Sequence, residues 1–328
     1  MGLCPAGRVG GVGVTLLAQL PTVRGKYIEA APLKGLTWLR VGGPADVLYL
    51  PADESDLCRF LAETPDEIPV TVLGAGSNTL VRDGGVPGVV IRLAGAFAKT
   101  EALDGYRLRA GAGALDKMVA KAAAKAGIGG LEYLVGVPGT IGGALRMNAG
   151  CYDQETSDVV VEVIALDRMG RRIIASPDEL AYSYRHCEAP EDWIFTGAVF
   201  QGQADDPDAI TKRMNAITAR RETTQPIREK TSGSTFANPD PPGTPNQRKS
   251  WELIDSVGGR GYRVGGAHFS EQHCNFLIND GTASAADLEQ VGEDVRARVR
   301  QQHDIELRWE VRRIGRVSGD QKQEGQAG

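Results

Sequence analysis

A chain of 328 residues with 41% hydrophobic and 24% charged residues has the make-up of a soluble globular protein, long enough for two or three domains with substantial cores. Its formal net charge of −5 argues against a general nucleic-acid binder, whose binding domain is ordinarily basic, while leaving room for a local basic pocket. Five scattered cysteines (Cys4, Cys58, Cys151, Cys187, Cys274), odd in number and without a Cys-x-x-Cys pair, suit reduced thiols in a cytoplasmic protein better than a disulfide framework or a zinc site.

Taken in order, Arg8 and the apolar run after it imitate a signal peptide, but glycines break the run and no clean cleavage site follows. No segment is apolar and long enough to span a bilayer. Met1 to Gly13 reads as a disordered tail and Leu16 to Leu20 as a short helix. Leu36 to Leu50 reads as strand, Gly42-Gly43-Pro44 turn and strand. A short helix follows at Asp53 to Ala62, then strands at Val70 to Leu73 and Val89 to Leu93. Leu115 to Ala126 predicts a helix with Leu115, Met118, Val119, Ala122, Ala123 and Ala126 on one face, stopped by Gly127.

Val159 to Leu166 and Arg171 to Ala175 predict a hairpin, and Trp193 to Gln201 a further strand. Asp206 and Pro207 open a helix that ends near Gln225. Thr231 to Pro245 reads as a turn-rich loop, Trp251 to Val257 as a short helix and Asn275 to Ile278 as a strand. Ser284-x-x-Asp287 resembles a capping box ahead of a long helix. Ile305 to Ile314 alternates, with Glu306, Arg308, Glu310 and Arg312 on a polar face. Strands and helices mix without strict alternation, which favours an α+β fold.

The richest stretch is Gly130 to Gly150, GLEYLVGVPGTIGGALRMNAG. Apolar residues interleave its glycines, so the segment is expected to be buried, and buried backbone needs hydrogen-bond partners. Glycine lets backbone approach a ligand closely, and Pro138 stiffens the loop. Two readings stand side by side: a preformed cradle for an anion such as a pyrophosphate, or a packed glycine corner. A second glycine loop, Gly74-Ala-Gly-Ser-Asn78, follows a strand. It is neither a Walker loop nor the dinucleotide fingerprint, since no Gly-Lys-[Ser/Thr] or clear helix follows. Two such loops far apart in sequence are what clasping a pyrophosphate from two sides requires.

The ordered segments LTWLRVGGPA, VLGAGSNTLVRDGGVPGVVIRL, GLEYLVGVPGTIGGALRMNAG, YSYR, SGSTFANP, HCNFLIN and LRWEV resemble the UDP-N-acetylenolpyruvoylglucosamine reductase (MurB) family from about Leu16 to Gly315. The compact region between Gln201 and Thr231 looks like the shorter, type II form. The resemblance implies an FAD-binding α+β fold akin to the vanillyl-alcohol oxidase-like flavoproteins, with a C-terminal substrate-binding domain. The implied division is a tail and short helix at 1–24, FAD-binding subdomains at 25–95 and 96–222, a substrate domain at 223–316 and a tail at 317–328. Its implied reaction is NADPH-dependent, FAD-mediated reduction of UDP-N-acetylglucosamine enolpyruvate to UDP-N-acetylmuramate for peptidoglycan, with hydride passing from flavin N5. The FAD loops would be Leu73, Gly74, Ala75, Gly76, Ser77 and Asn78, together with Gly136, Val137, Pro138, Gly139, Thr140, Gly142 and Gly143. No histidine precedes His186, so FAD is expected to be non-covalent.

Arg185, Ser234 and Glu310 match the family's catalytic positions. Hydride addition to an enol ether builds negative charge on the adjoining carbon and its carboxylate, which a fixed cation such as Arg185 stabilises. Ser234 would supply the proton, and Glu310 would either hydrogen-bond the carboxylate or orient a neighbour. Away from the resemblance, these three are an ordinary turn serine, surface arginine and solvated strand glutamate. Arg220, Arg221, Arg228 and Lys230 either meet the diphosphate or form a solvated helix end. His268, His273 and Cys274 fit no common zinc spacing, so no metal is expected. Two positions depart from the family pattern: Cys187 stands where serine is usual, and Asp153 where glycine is common. Two other readings are another FAD oxidoreductase of this fold acting on an alcohol or hydroxy acid, and a non-enzymatic nucleotide-binding protein.

Overall fold

The computed structural model describes residues 15–240 and 243–319, so the tail expected at Met1 to Gly13 lies outside it. The first sheet runs in the order Lys26–Pro32, Pro44–Leu50, Val86–Ile91 and Val70–Val72, antiparallel at the first pair and parallel thereafter. Helix α1 (Glu54–Glu63) starts where Asp53 Oδ1 accepts the Asp56 N–H at 3.0 Å. It buries Leu57, Phe60 and Leu61 against Tyr49, Val89 and Ile91.

The second sheet is antiparallel: Arg172–Ala175, Val160–Leu166, Ile194–Gln201, Arg107–Gly111 and Thr100–Leu103. Helices α2 (Asp116–Lys125), α3 (Ile141–Arg146) and α4 (Pro207–Thr224) share its core. The third sheet, Lys230–Ser234, Phe276–Asn279, Ala267–Phe269 and Arg263–Val264, packs with α5 (Ser250–Ser256) and α6 (Ala285–His303). The capping box at Ser284 and Asp287 forms as the sequence predicts. Behind it Leu288, Val291, Val295 and Val299 are fully buried, each worth about 1.5–3 kcal/mol in transfer from water. Among the described residues, no helix is long and apolar enough to cross a membrane.

Two contacts bring the end of the chain onto the first glycine loop. Arg312–Ile314 runs parallel to Thr79–Val81, and the Arg312 N–H donates to Asn78 O at 3.0 Å. Asp83 caps α6 by accepting the N–H groups of Ala285 and Ala286 at 3.0 Å each, while Arg82 grips Glu289 through Nε and Nη2.

Four expectations are corrected. Leu36 to Val41 is not a strand; Lys26–Pro32 is the partner of Pro44–Leu50. Leu39 and Val41 instead enter the core of the third sheet. Helix α2 is rotated, leaving Leu115 and Met118 exposed while Asp116, Val119, Ala120, Ala123 and Ala124 turn inward. Lys230–Ser234 is a strand where a loop was expected, so Ser234 sits at its end. Ile305 to Val311 forms no continuous strand, because Trp309 bridges Phe236 and pairing resumes only at Arg312.

Candidate active site

Both glycine loops line one cavity of about 470 Å³, together with the Val70–Val72 strand, Ala112, Asp116 and the segment Trp193 to Phe195. Its size is that of a typical cofactor or ligand site. The loops touch: a Cβ on Gly74 would stand 2.6 Å from Thr140 Oγ1, so only glycine lets the two jaws close. Gly76 takes φ +62°, and its Cβ would meet the Leu36 carbonyl at 2.5 Å. The backbone N–H groups of Gly74, Ala75, Gly76 and Ser77 have no acceptor among the described residues. Leu73 to Asn78, Val137 to Thr140, Gly142 and Gly143 all reach the cavity. Gly136 does not: it is buried behind the loop, where a Cβ would lie 2.6 Å from Cys151 Sγ. Free backbone donors in a glycine cradle of this size fit the pyrophosphate of FAD.

Arg185 and Glu310 meet beside Asn78, which lines this cavity. Arg185 Nε donates to Glu310 Oε1 at 3.2 Å, Nη2 to Gly150 O at 2.9 Å and Nη1 to Asn148 O at 3.3 Å. The arginine sits at the tip of a tight Ser183–His186 turn with φ +56°, a conformation that costs a non-glycine residue of order 1–3 kcal/mol. Three hydrogen bonds and the Tyr184 ring, 5.0 Å from its guanidinium, hold it there. Asn148 locks the turn, donating Nδ2 to Ser183 O at 3.1 Å and accepting the Ser157 N–H at 2.9 Å. Sequence reasoning passed over Asn148; its only signal was its place at the end of the glycine stretch.

Glu310 is placed by its backbone. Its N–H donates to Thr235 O at 2.8 Å and its carbonyl accepts Asn78 Nδ2 at 3.0 Å. This suspension between the third sheet and the first glycine loop turns the side chain inward, leaving 14% of it exposed. Burial pushes the Glu310 carboxyl above the usual glutamate range, against the opposing pull of Arg185. The folded protein therefore binds more protons than the unfolded chain between the ordinary and the raised pKa, and stability falls as pH rises through that window. Denaturation of wild type and Glu310→Gln across it should show the wild type losing ground with rising pH. A difference that stays constant would contradict this.

Ser234 is the residue before Thr235, which holds the Glu310 backbone, and pairs with Phe276. Its hydroxyl has no hydrogen-bond partner among the described residues. The four basic residues are divided. Arg220 stacks on Tyr152 at 4.6 Å, Arg221 donates to Gln225 Oε1 at 3.1 Å, and Lys230 is exposed at the start of its strand. Arg228 lines a second cavity of about 620 Å³ with Gln225, His268 and Ser270. Among the described residues, no histidine, cysteine or carboxylate cluster could hold a metal. Asp153 adopts φ +65° beside Tyr152 at +52°, a backbone that would suit glycine, and Cys187 is buried.

Residues 225–314 match the domain described as "UDP-N-acetylenolpyruvoylglucosamine reductase, C-terminal domain", and residues 45–176 match "FAD binding domain". The UDP-N-acetylenolpyruvoylglucosamine reductase of Phenylobacterium zucineum is 60% identical over 300 residues, covering 91% of this chain and 98% of the relative. That of Parvibaculum lavamentivorans is 55% identical over 300 residues, covering 92% and 94%. The crystal structure of the reductase (MurB) from Thermus caldophilus superposes with a TM-score of 0.76 at 35% identity, over 90% of this chain and all of that one.

Proposed function

The chain belongs to the UDP-N-acetylenolpyruvoylglucosamine reductase family, an FAD-dependent oxidoreductase of peptidoglycan synthesis, and on that premise we propose that Arg185, Ser234 and Glu310 carry its chemistry, with NADPH as reductant. The observation that supports this reading is the half-buried Arg185–Glu310 pair, its arginine held at φ +56° and its glutamate bonded through the backbone to Asn78 of the glycine-lined cavity. FAD, when bound, supplies the hydride. Arg185 then faces the substrate carboxylate and offsets the negative charge that grows there; its guanidinium, permanently charged and fixed by three bonds, needs no reorganisation. Glu310 keeps Arg185 aimed. Ser234 Oγ delivers its proton to the carbon that bears the developing charge. The Gly74–Asn78 and Val137–Gly143 loops hold the pyrophosphate.

The reading is tested by anaerobic spectroscopy of the purified protein. Its flavin absorbance should bleach with NADPH and return on adding UDP-N-acetylglucosamine enolpyruvate. A flavin that ignores this sugar nucleotide but is reduced by an alcohol or hydroxy acid would support the other oxidoreductase reading. Arg185→Lys keeps the charge and loses the fork. It is expected to lower kcat by about ten- to a hundredfold, the worth of one charged hydrogen bond, with FAD content unchanged. An unaltered kcat would remove Arg185 from the mechanism.

A further inference from the structure

Asp116 is the one fully buried carboxylate with both oxygens unpartnered among the described residues, and it lies in the wall of the cofactor cavity. It occupies the first position of α2, and the inward rotation of that helix puts it there. A Cβ built on Gly139 would stand 2.9 Å from Asp116 Oδ2 and 3.5 Å from Ser77 Oγ. The carboxyl therefore sits in the cavity wall where the two glycine jaws meet, with no side chain at 139 between them.

Resting on the reading that these jaws hold FAD, we propose that the Asp116 carboxyl donates its proton in a hydrogen bond to an anionic phosphate oxygen of the bound cofactor. No cation contacts it. On its own helix Lys117 and Lys121 point to solvent. From the facing segment, the buried phenol of Tyr133 donates to Thr156 Oγ1, while Glu132 is taken up by Arg213 and the Gly130 N–H. On α3, Arg146 is spent on the carbonyls of Ala189, Pro190 and Trp193. The Gly74–Asn78 loop carries no ionisable side chain. The start of a helix favours a carboxylate by about 0.3–1 kcal/mol, up to about 2. Full burial without a partner costs an ion several kcal/mol, so the neutral acid wins. Burial accordingly raises the Asp116 pKa well above the ordinary aspartate value. A neutral acid has one proton to give and no acceptor for it inside the protein, and a phosphate oxygen is a strong one.

The test is an infrared difference spectrum of FAD binding to the full-length chain freed of flavin, with affinities measured alongside. The carbonyl stretch of a protonated carboxylic acid should shift to lower frequency as FAD binds, and the shift should be missing from Asp116→Asn. That variant keeps an N–H donor and should bind FAD within a few-fold of wild type. Asp116→Leu should bind about ten- to a hundredfold more weakly. A shift in a carboxylate band instead would mean that Asp116 accepts from a cofactor hydroxyl, and would overturn the proposal, as would no Asp116 signal at all. If Asp116→Leu fails to fold, the wild-type and Asp116→Asn spectra decide alone. Gly139→Leu separates the two readings: undiminished FAD affinity in that variant would refute the placement of FAD itself.

Discussion

Ser234→Ala is expected to fold, bind FAD and lose about 10²–10⁴-fold in turnover, the usual contribution of a positioned acid. The fold should not notice the change. Ser234 is held by backbone pairing to Phe276, and its hydroxyl bonds nothing among the described residues. Nor does it line the cavity shared by the two glycine loops, so cofactor affinity should stand. What is lost is the only hydroxyl proposed to hand a proton to the substrate carbon. Serine is a weak acid, so its value lies in position, fixed through Thr235 to the backbone of Glu310. A steady-state assay with enolpyruvyl sugar nucleotide and NADPH checks this.

Gly139→Leu is expected to give a colourless protein. Gly139 needs no positive φ, so its backbone tolerates a side chain; the space does not. The first carbon alone would be 2.9 Å from Asp116 Oδ2, and the rest of a leucine would fill the gap between the jaws. Saturating FAD at about 100 times its Kd adds roughly 2.7 kcal/mol to a protein that binds it only when folded. Thermal melts with and without FAD should show that gain in wild type and none in the variant. A variant purified yellow, with flavin in equal amount to protein, would refute the clasp.

The parts of the fold read correctly from sequence are those decided locally. Asp53, Asp206 and Ser284 cap helices by bonding N–H groups three residues away, so their signal sits in a few adjacent letters. The rotation of α2 escapes the sequence because the apolar periodicity picks out Leu115 and Met118; only the tertiary cavity makes Asp116 an inward residue. Glu310 was placed on a polar strand face for the same reason. Its inward turn is dictated by Thr235 and Asn78, residues distant in sequence. Lys26–Pro32 carries weak strand letters and gains its identity from pairing with Pro44–Leu50. The glycine loops were legible as places where backbone comes close, which left a cradle and a packed corner as equal readings; the cavity that both loops line favours the cradle. Arg185 and Ser234 are singled out only by the family resemblance. The left-handed backbone at Arg185 and its lock by Asn148 leave no local mark.

The flavin-holding part of the molecule and the Arg185–Ser234–Glu310 group are proposed to serve separate halves of the reaction. Stopped-flow spectroscopy of Ser234→Ala beside wild type tests this most directly. Flavin reduction by NADPH should proceed at the wild-type rate, while reoxidation by UDP-N-acetylglucosamine enolpyruvate should slow by orders of magnitude. Reoxidation at the wild-type rate would remove Ser234 from the proton transfer.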